Sequence, residues 1–381
     1  PVQYPANDSS SGFITTHFDY HSIDGNLLKL DILGHDDPTM IRMLDNMLGE
    51  GYCKNIPVGD PDTMELFLST KSIGVSPEDI MTDVATYGVP ECGTRFVRQM
   101  ISDVKPKNFS DLLRISGYSH GTDVWLNNAQ DLIKNGTPTE DTISTRDDIM
   151  NWLINKGMEP SMAFGIMEWA RKGKAHKQGF KAEQEEAFKK ANIPEFYIKS
   201  CKTLQYLFPK AHAVAYVLSA YRIAYCKVHH PKEFYSAYFT IRAPKFDFVE
   251  VHKGINFMRS FIKNVGQQGT KASVNDKETA TYMELAVEML ARGFEFEDVD
   301  LYRSDAHQFI VTDKGLLPPL GAIGGIGGVA AENIVKARSK GPFISREDLR
   351  NRAKISNTAV EVLADLGVLE GLPETDQIEL F

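Results

Sequence analysis

The chain alternates between stretches of helical apolar spacing and short polar breaks, and this rhythm changes twice. Residues 1–26 are polar and irregular, with a Ser-rich turn at Ser9-Ser10-Ser11-Gly12. Leu27–Gly34 then sets Leu28, Leu30 and Ile32 against Lys29 and Asp31, the period-2 pattern of a short strand with one buried face. From Pro38 to about Lys232 the spacing is mostly helical. Helix-start signals recur at Asp60-Pro61-Asp62, Ser76-Pro77-Glu78-Asp79, Ser110-Asp111 and Thr145-Arg146-Asp147-Asp148. Gly136-Thr137-Pro138-Thr139 and Gly157-Met158-Glu159-Pro160 separate helices. Ala213–His229 is apolar and aromatic almost all round, which predicts a buried helix ending before Pro231. After Thr240 the pattern predicts a helix near Val249–Lys263, an acidic helix near Glu278–Arg292, and short strands about Asp298–Tyr302 and Gln308–Val311. From Leu316 a Gly-rich segment opens a small helical module, and Pro373–Phe381 reads as an extended tail.

A length of 381 residues exceeds one ordinary core and implies two or three domains. The 42% hydrophobic and 24% charged fractions are those of a soluble globular protein. No apolar run approaches the roughly 20 residues of a membrane helix, so no membrane partner is expected. Pro1-Val2-Gln3-Tyr4 has neither an initiator Met nor a signal-peptide pattern, and the chain is expected to begin inside a longer polypeptide. Cys53, Cys92, Cys201 and Cys226 are scattered without a C-x-x-C pair; this argues against a zinc site or disulfide framework and fits a reducing cytoplasm. The net charge of −9 hides a basic stretch: thirteen Lys and Arg face five Glu between Arg171 and Phe234. Such a stretch suits a confined polyanion site or a solvated helical face.

Four constellations carry chemistry. Lys29 and Asp31 share one strand face, where the carboxylate can bind Mg²⁺ and the ammonium a phosphate oxygen; the same spacing also makes ordinary surface ion pairs. Tyr206-Leu207-Phe208-Pro209-Lys210-Ala211-His212 combines rings that can stack on a base with cations that can reach phosphates. Arg171, Lys172 and Lys174 follow the helical run Phe164–Trp169, a place where a helix dipole favours cations in any case. Leu320–Ile334 fits a helix-hairpin-helix, with Gly325-Ile326-Gly327 as hairpin, Ile323, Ile326 and Ile334 packing the two helices together, and Lys336, Arg338 and Lys340 adding charge. Its glycines let backbone N–H groups approach a phosphate, although such modules also serve as spacers. Gln377-Ile378-Glu379-Leu380-Phe381 is a linear motif that can fill a partner's pocket or pack on its own domain.

Together these residues resemble PolC, the DNA polymerase III alpha subunit of low-GC Gram-positive bacteria. The resemblance rests on Leu27–Pro38, Gly93–Met100, Ser116–Trp125 and Phe208–Val217, and it runs in order over essentially the whole chain. It implies a multidomain, mainly α fold with smaller α+β parts. Residues 1–45 would be the C-terminal part of the palm, 46–245 the fingers, 246–372 a duplex-binding region with its helix-hairpin-helix at about 316–340, and 373–381 a tail for the sliding clamp. Asp31 would be a palm metal ligand for Mg²⁺, and Lys29 would stand near the incoming triphosphate. Arg171, Lys172 and Lys174 would meet that triphosphate and Tyr206 the base, with Ser116, Ser119, Phe208, Lys210 and His212 lining the same dNTP pocket. Gly325, Ile326, Gly327, Gly328, Lys336 and Arg338 would hold primer-template DNA; Gln377, Ile378, Leu380 and Phe381 would bind the clamp. The rest of the polymerase chain and other replisome subunits would be further partners. The family's palm also supplies two aspartates as D-x-D, whereas residues 1–30 contain only Asp8, Asp19 and Asp24. The chain alone is therefore expected to be inactive, because Asp31 by itself cannot hold two metal ions. A non-catalytic, clamp-tethered DNA-binding module is the alternative; it would need the hairpin and the tail but not the pocket around Tyr206.

Overall fold

The computed structural model describes residues 2–5, 8–16, 18–19, 22–23, 25–28, 30 and 34–376. It divides into two compact units, Pro1–His35 and Asp36–Phe381. Among the described residues of the first, β1 (Val2–Gln3) pairs antiparallel with β2 (Thr15–Thr16). The expected strand at Leu27–Gly34 is not seen in what is described of it: Leu27, Leu28 and Leu30 lie outside any strand, and Leu28 is 86% exposed. A short strand buries a face only against a partner, and no described strand pairs with this one. Lys29 and Asp31 fall outside the described residues.

The second unit is built from helices whose ends follow the expected signals. Asp60 caps the Pro61–Glu65 helix by accepting Thr63 N–H at 2.8 Å, and Ser76 with Asp79 forms a capping box around Pro77. The helix expected at Ser110 begins one residue earlier, at Phe109, because Asn108 accepts Asp111 N–H at 3.1 Å. The Lys210–His229 helix starts three residues before the apolar run, with Pro209 in front of it and Asp147 Oδ2 accepting Lys210 N–H at 2.7 Å. It ends before Pro231, where the Pro231–Ile241 helix takes over. The helix expected over Val249–Lys263 is broken into Phe248–His252 and Ile255–Gln268 at Gly254. The acidic helix spans Val274–Ala291.

The compact unit begins at Asp36, inside the segment expected to end the palm. Its first helix, Asp36–Leu48, lies against Lys210–His229 and Pro231–Ile241, and Arg242 Nη1 meets Asp37 Oδ1 at 3.1 Å. A three-stranded sheet follows, β3 (Glu295–Phe296), β4 (Ile310–Val311) and β5 (Gly315–Leu317), in the order β3-β5-β4 with β3 parallel and β4 antiparallel to β5. The strand expected at Asp298–Tyr302 is instead a turn, since Asp300 Oδ1 accepts the N–H groups of Tyr302 and Arg303, each at 2.8 Å.

A fully buried ion pair ties these layers together. Lys227 and Glu288 are both 0% exposed, 2.8 Å apart, and Lys227 Nζ also donates to Ala85 O at 2.7 Å and Tyr87 O at 2.6 Å. Tyr235 Oη donates to the other Glu288 oxygen at 2.7 Å. Burial pulls the Lys227 ammonium down to about 8, which still leaves it protonated at neutral pH. Lys227 was one of the thirteen cations of the basic stretch; it does not reach the surface.

Candidate functional site

Three chain segments meet around Tyr206. Thr122, just past the Phe109–His120 helix, donates its N–H to Tyr206 O at 3.0 Å and accepts Gln205 N–H at 3.2 Å. Arg171, at the end of the Pro160–Arg171 helix, accepts Leu207 N–H at 3.3 Å. Gly173 turns the chain there with φ of 67°, and a Cβ on it would stand 2.7 Å from Gln205 O, so this approach requires glycine. Arg171, Tyr206 and Phe208, far apart in sequence, are thereby fixed side by side.

The rings form one cluster. Tyr206 is 44% exposed and packs edge-on against Phe208 at 5.1 Å; Phe208 stacks on His212 at 4.9 Å, and His212 lies 4.5 Å from Tyr216. His120, which the sequence reading passed over, stands 5.9 Å from Phe208 and 5.5 Å from His212. Its Nδ1 is 2.7 Å from Ser116 O and its Nε2 is 3.1 Å from Glu91 Oε2. Both neighbours are acceptors, so both ring nitrogens are best satisfied as donors, and the hydrogen bond to Glu91 holds His120 above its ordinary value. Ser119 Oγ bonds Ser116 O at 2.9 Å beside it. Ser116 itself is buried, and its hydroxyl has no hydrogen-bond partner among the described residues.

Glu168 gathers the cations. It takes Arg171 through two parallel bonds, one of them Nη2 to Oε2 at 2.9 Å, and Lys172 Nζ at 2.9 Å. The Arg171 bond holds the Glu168 carboxyl down to about 2. Lys174 lies over the Trp169 ring at 4.9 Å. Lys210 has no ion-pair partner among the described residues.

A second region centres on Gly325-Ile326-Gly327. Gly325 has φ of 91°, Ile326 is buried, and Gly327 leads into the Gly328–Arg338 helix. Ile323 and Ile334 are buried as expected, but the first limb is only a 3₁₀ turn, Leu320–Ala322. Asp247 Oδ1 accepts Gly324 N–H at 3.1 Å and fixes the hairpin. Arg338 is half turned inward, donating to Leu301 O at 2.7 Å, while Lys336 is exposed. Further on, Lys354 with φ of 53°, buried Ile355 and Ser356 repeat the same geometry ahead of the Asn357–Asp365 helix, with Ser356 Oγ accepting Ala359 N–H at 3.1 Å. A hollow of about 340 Å³ between the C-terminal half of the Gly328–Arg338 helix and Arg352–Lys354 is bordered by Lys336, Lys340 and Lys354, none with an ion-pair partner among the described residues. Gln377, Ile378, Leu380 and Phe381 fall outside the described residues. Among the described residues no group of three or more His, Cys, Asp or Glu converges as a metal site.

Comparison with known proteins matches the second region and, of the first, Ser116, Ser119, His120 and Arg171 but not the Tyr206–Tyr216 ring segment. The bacterial DNA polymerase III alpha subunit finger domain matches residues 37–193, and a helix-hairpin-helix motif matches residues 293–377. The whole chain is 54% identical to a PolC-type DNA polymerase III of Oceanobacillus iheyensis over 382 aligned residues, covering 100% of this chain and 26% of that protein. The corresponding protein of Bacillus subtilis is 53% identical and that of Clostridium perfringens 50%, each with the same coverage. The chain belongs to the PolC-type DNA polymerase III family. It spans about a quarter of the length of these PolC-type relatives. The helix-hairpin-helix match runs past the first hairpin and includes Lys354–Ser356, the repeat that lacks the glycines by which the first was recognised.

Proposed function

We propose that this segment selects the incoming dNTP and holds primer-template DNA within a PolC-type replicative polymerase. The observation that carries this reading is the meeting of an exposed Tyr206 ring with the Arg171–Lys172 pair at the backbone contact between Leu207 and Arg171. A base can lie against Tyr206 while the remaining N–H donors of Arg171 and Lys172 take phosphate oxygens, with Lys210 adding charge. The two hairpins present N–H groups, and Lys336, Lys340 and Lys354 present cations, to duplex phosphates.

Nucleotidyl transfer by this family needs Mg²⁺, which would draw the triphosphate's charge and activate the primer hydroxyl. In this chain Asp31 is the one proposed ligand and Lys29 its neighbour near the triphosphate. The chain's own contribution is then orientation of base and triphosphate. Gln377, Ile378, Leu380 and Phe381 are proposed to tether the enzyme to the sliding clamp. The deciding experiment is Tyr206→Ala in a full-length polymerase carrying this segment. Stacking on one base is worth roughly 1–3 kcal/mol, so KM for dNTP should rise about fivefold to a hundredfold with little change in duplex affinity. An unchanged KM would leave Tyr206 a packing role only.

A further inference from the structure

The first N–H groups of a helix have no partner within it and must find acceptors elsewhere. In the Arg346–Ala353 helix they find them partly on a distant segment. Arg346 N–H donates to Pro373 O at 2.8 Å and Glu347 N–H to Glu374 O at 3.1 Å, while Asp348 N–H goes to Ser345 Oγ at 2.9 Å. Side chains repeat the attachment. The hydroxyl of fully buried Ser345 donates to the Asp376 carboxylate, and Arg346 Nη1 meets the Glu374 carboxylate. Both acids stand at a helix N-terminus, where the dipole favours negative charge. Each residue of Pro373–Asp376 is exposed, so the place of this segment is set by these bonds rather than by apolar burial.

The other end of the same helix leads into the second hairpin at Lys354. Eight residues rising 1.5 Å each separate the two ends by about 12 Å. Arg352, in the last turn, ties the helix to the first hairpin's helix and the turn after it. Its Nη2 donates to Ala337 O at 2.7 Å and Gly341 O at 2.8 Å, and its Nη1 to Pro342 O at 2.8 Å. One short helix therefore carries a proposed duplex contact at its C-terminus and the departure point of the proposed clamp tail at its N-terminus. The strength of such a two-site attachment depends on the length and stiffness of what joins the sites. Bonds to both backbone and side chains of Pro373–Asp376 take this segment out of the flexible length.

We infer that Pro373–Asp376 is an anchor, with Glu374 and Asp376 as positioning residues held by Arg346 and Ser345. It fixes where residues 377–381 leave the duplex-binding region, and so holds a sliding clamp bound there at a set distance from the duplex. The inference rests on the clamp-tail and duplex readings. Its test uses a full-length polymerase carrying this segment, with about ten Gly and Ser residues inserted either between Leu372 and Pro373 or between Asp376 and Gln377. The quantity measured is the gain in primer-template affinity that a clamp loaded on the same DNA confers. Insertion before Pro373 lies behind the anchor and should leave this gain unchanged. Insertion after Asp376 lengthens a tether of a few residues and should lower the gain about fivefold, since effective concentration falls roughly as the −3/2 power of length. Affinity for free clamp without DNA should be the same in both, because neither alters the motif. Glu374→Ala/Asp376→Ala, which spares the Ser345 cap, should make the first insertion as costly as the second and speed amide exchange at Arg346 and Glu347. Equal losses from the two insertions in the otherwise unmodified chain, or no loss from either, overturn the inference, because a free linker responds to added length wherever it is placed. Leu380→Ala/Phe381→Ala separates the two readings in the same assay. A clamp-dependent gain that survives it counts against the clamp tail itself, whereas a gain that is erased, together with equal insertion losses, counts against the anchor alone.

Discussion

Replacing Lys227 by Met should destabilise the Asp36–Phe381 unit by about 3–5 kcal/mol, the range measured when one partner of a buried ion pair is removed. The structure gives the reasons. The ammonium is fully buried and its three N–H donors go to Ala85 O, Tyr87 O and Glu288, so Met would leave two carbonyls without this donor and a core carboxylate with Tyr235 as its remaining hydrogen-bond donor among the described residues. The volume change is small, which confines the effect to polar groups. Urea titration followed by circular dichroism would measure it, with an unchanged m-value showing that the same surface unfolds. The double variant Lys227→Met/Glu288→Leu provides the control: with both charges gone, most of the loss should return, because well-packed apolar residues often replace a buried pair at little cost. Hydrogen exchange at Tyr87–Glu91 should accelerate in the single variant, since Lys227 anchors the carbonyls that lead into Glu91. A single variant within 1 kcal/mol of the unmodified protein would refute this account, and a double variant as unstable as the single would assign the loss to packing.

Three further outcomes are expected. Glu91→Gln should return His120 toward its ordinary value; because the raised folded pKa contributes stability that is full below about 6.5 and lost as pH rises through the folded value, the variant should be destabilised at pH 6 and indistinguishable at pH 9 in thermal melts. Among the described residues the groups facing that ring include Glu91, Ser116 O, Ser119, Phe208, His212 and Tyr216, of which Glu91 is a carboxylate. Lys336→Ala with Lys354→Ala should lower the salt slope of duplex binding by about 2, whatever the DNA sequence, and an unaltered slope would remove both from the interface. Leu380→Ala with Phe381→Ala should abolish clamp-dependent processive synthesis while sparing single-nucleotide addition; full processivity would exclude the tail as tether.

What could be read from the sequence depended on how local the determining interaction was. Helix starts at Asp60 and Ser76 were legible because a cap and its N–H partner lie within one turn, and that at Thr145 because Asp148 Oδ2 accepts Thr145 N–H at 2.8 Å. Tyr206, Phe208 and His212 stood out as a motif, and the fold gathers their rings into one cluster and sets Tyr206 beside Arg171. His120 was not, because its partner Glu91 lies on another loop and a lone His before Gly121 carries no pattern. The second hairpin escaped because Lys354, a residue that seldom adopts positive φ, stands where the first hairpin has Gly325. The turn at Asp300 defeated a strand reading of Asp298–Tyr302, since side-chain acceptance of two N–H groups overrides apolar alternation.

Charge shows the same limit from the other side. The run Arg171–Phe234 looked like a single basic surface, yet Lys227 is buried against Glu288, Arg171 and Lys172 share Glu168, and Lys202 stands 3.9 Å from Glu185. Among the described residues, cations without an ion-pair partner include Lys210 beside the ring cluster and Lys336, Lys340 and Lys354 around the hollow at the end of the Gly328–Arg338 helix. Because exposed charges are screened beyond about 8–10 Å, a phosphate responds to these local groups and hardly at all to the net −9 of the chain. An acidic protein can therefore hold nucleic acid wherever its fold withholds carboxylates from particular lysines and arginines. That makes the two sites separable: charge removal at one should alter its own ligand's binding and leave the other unaffected.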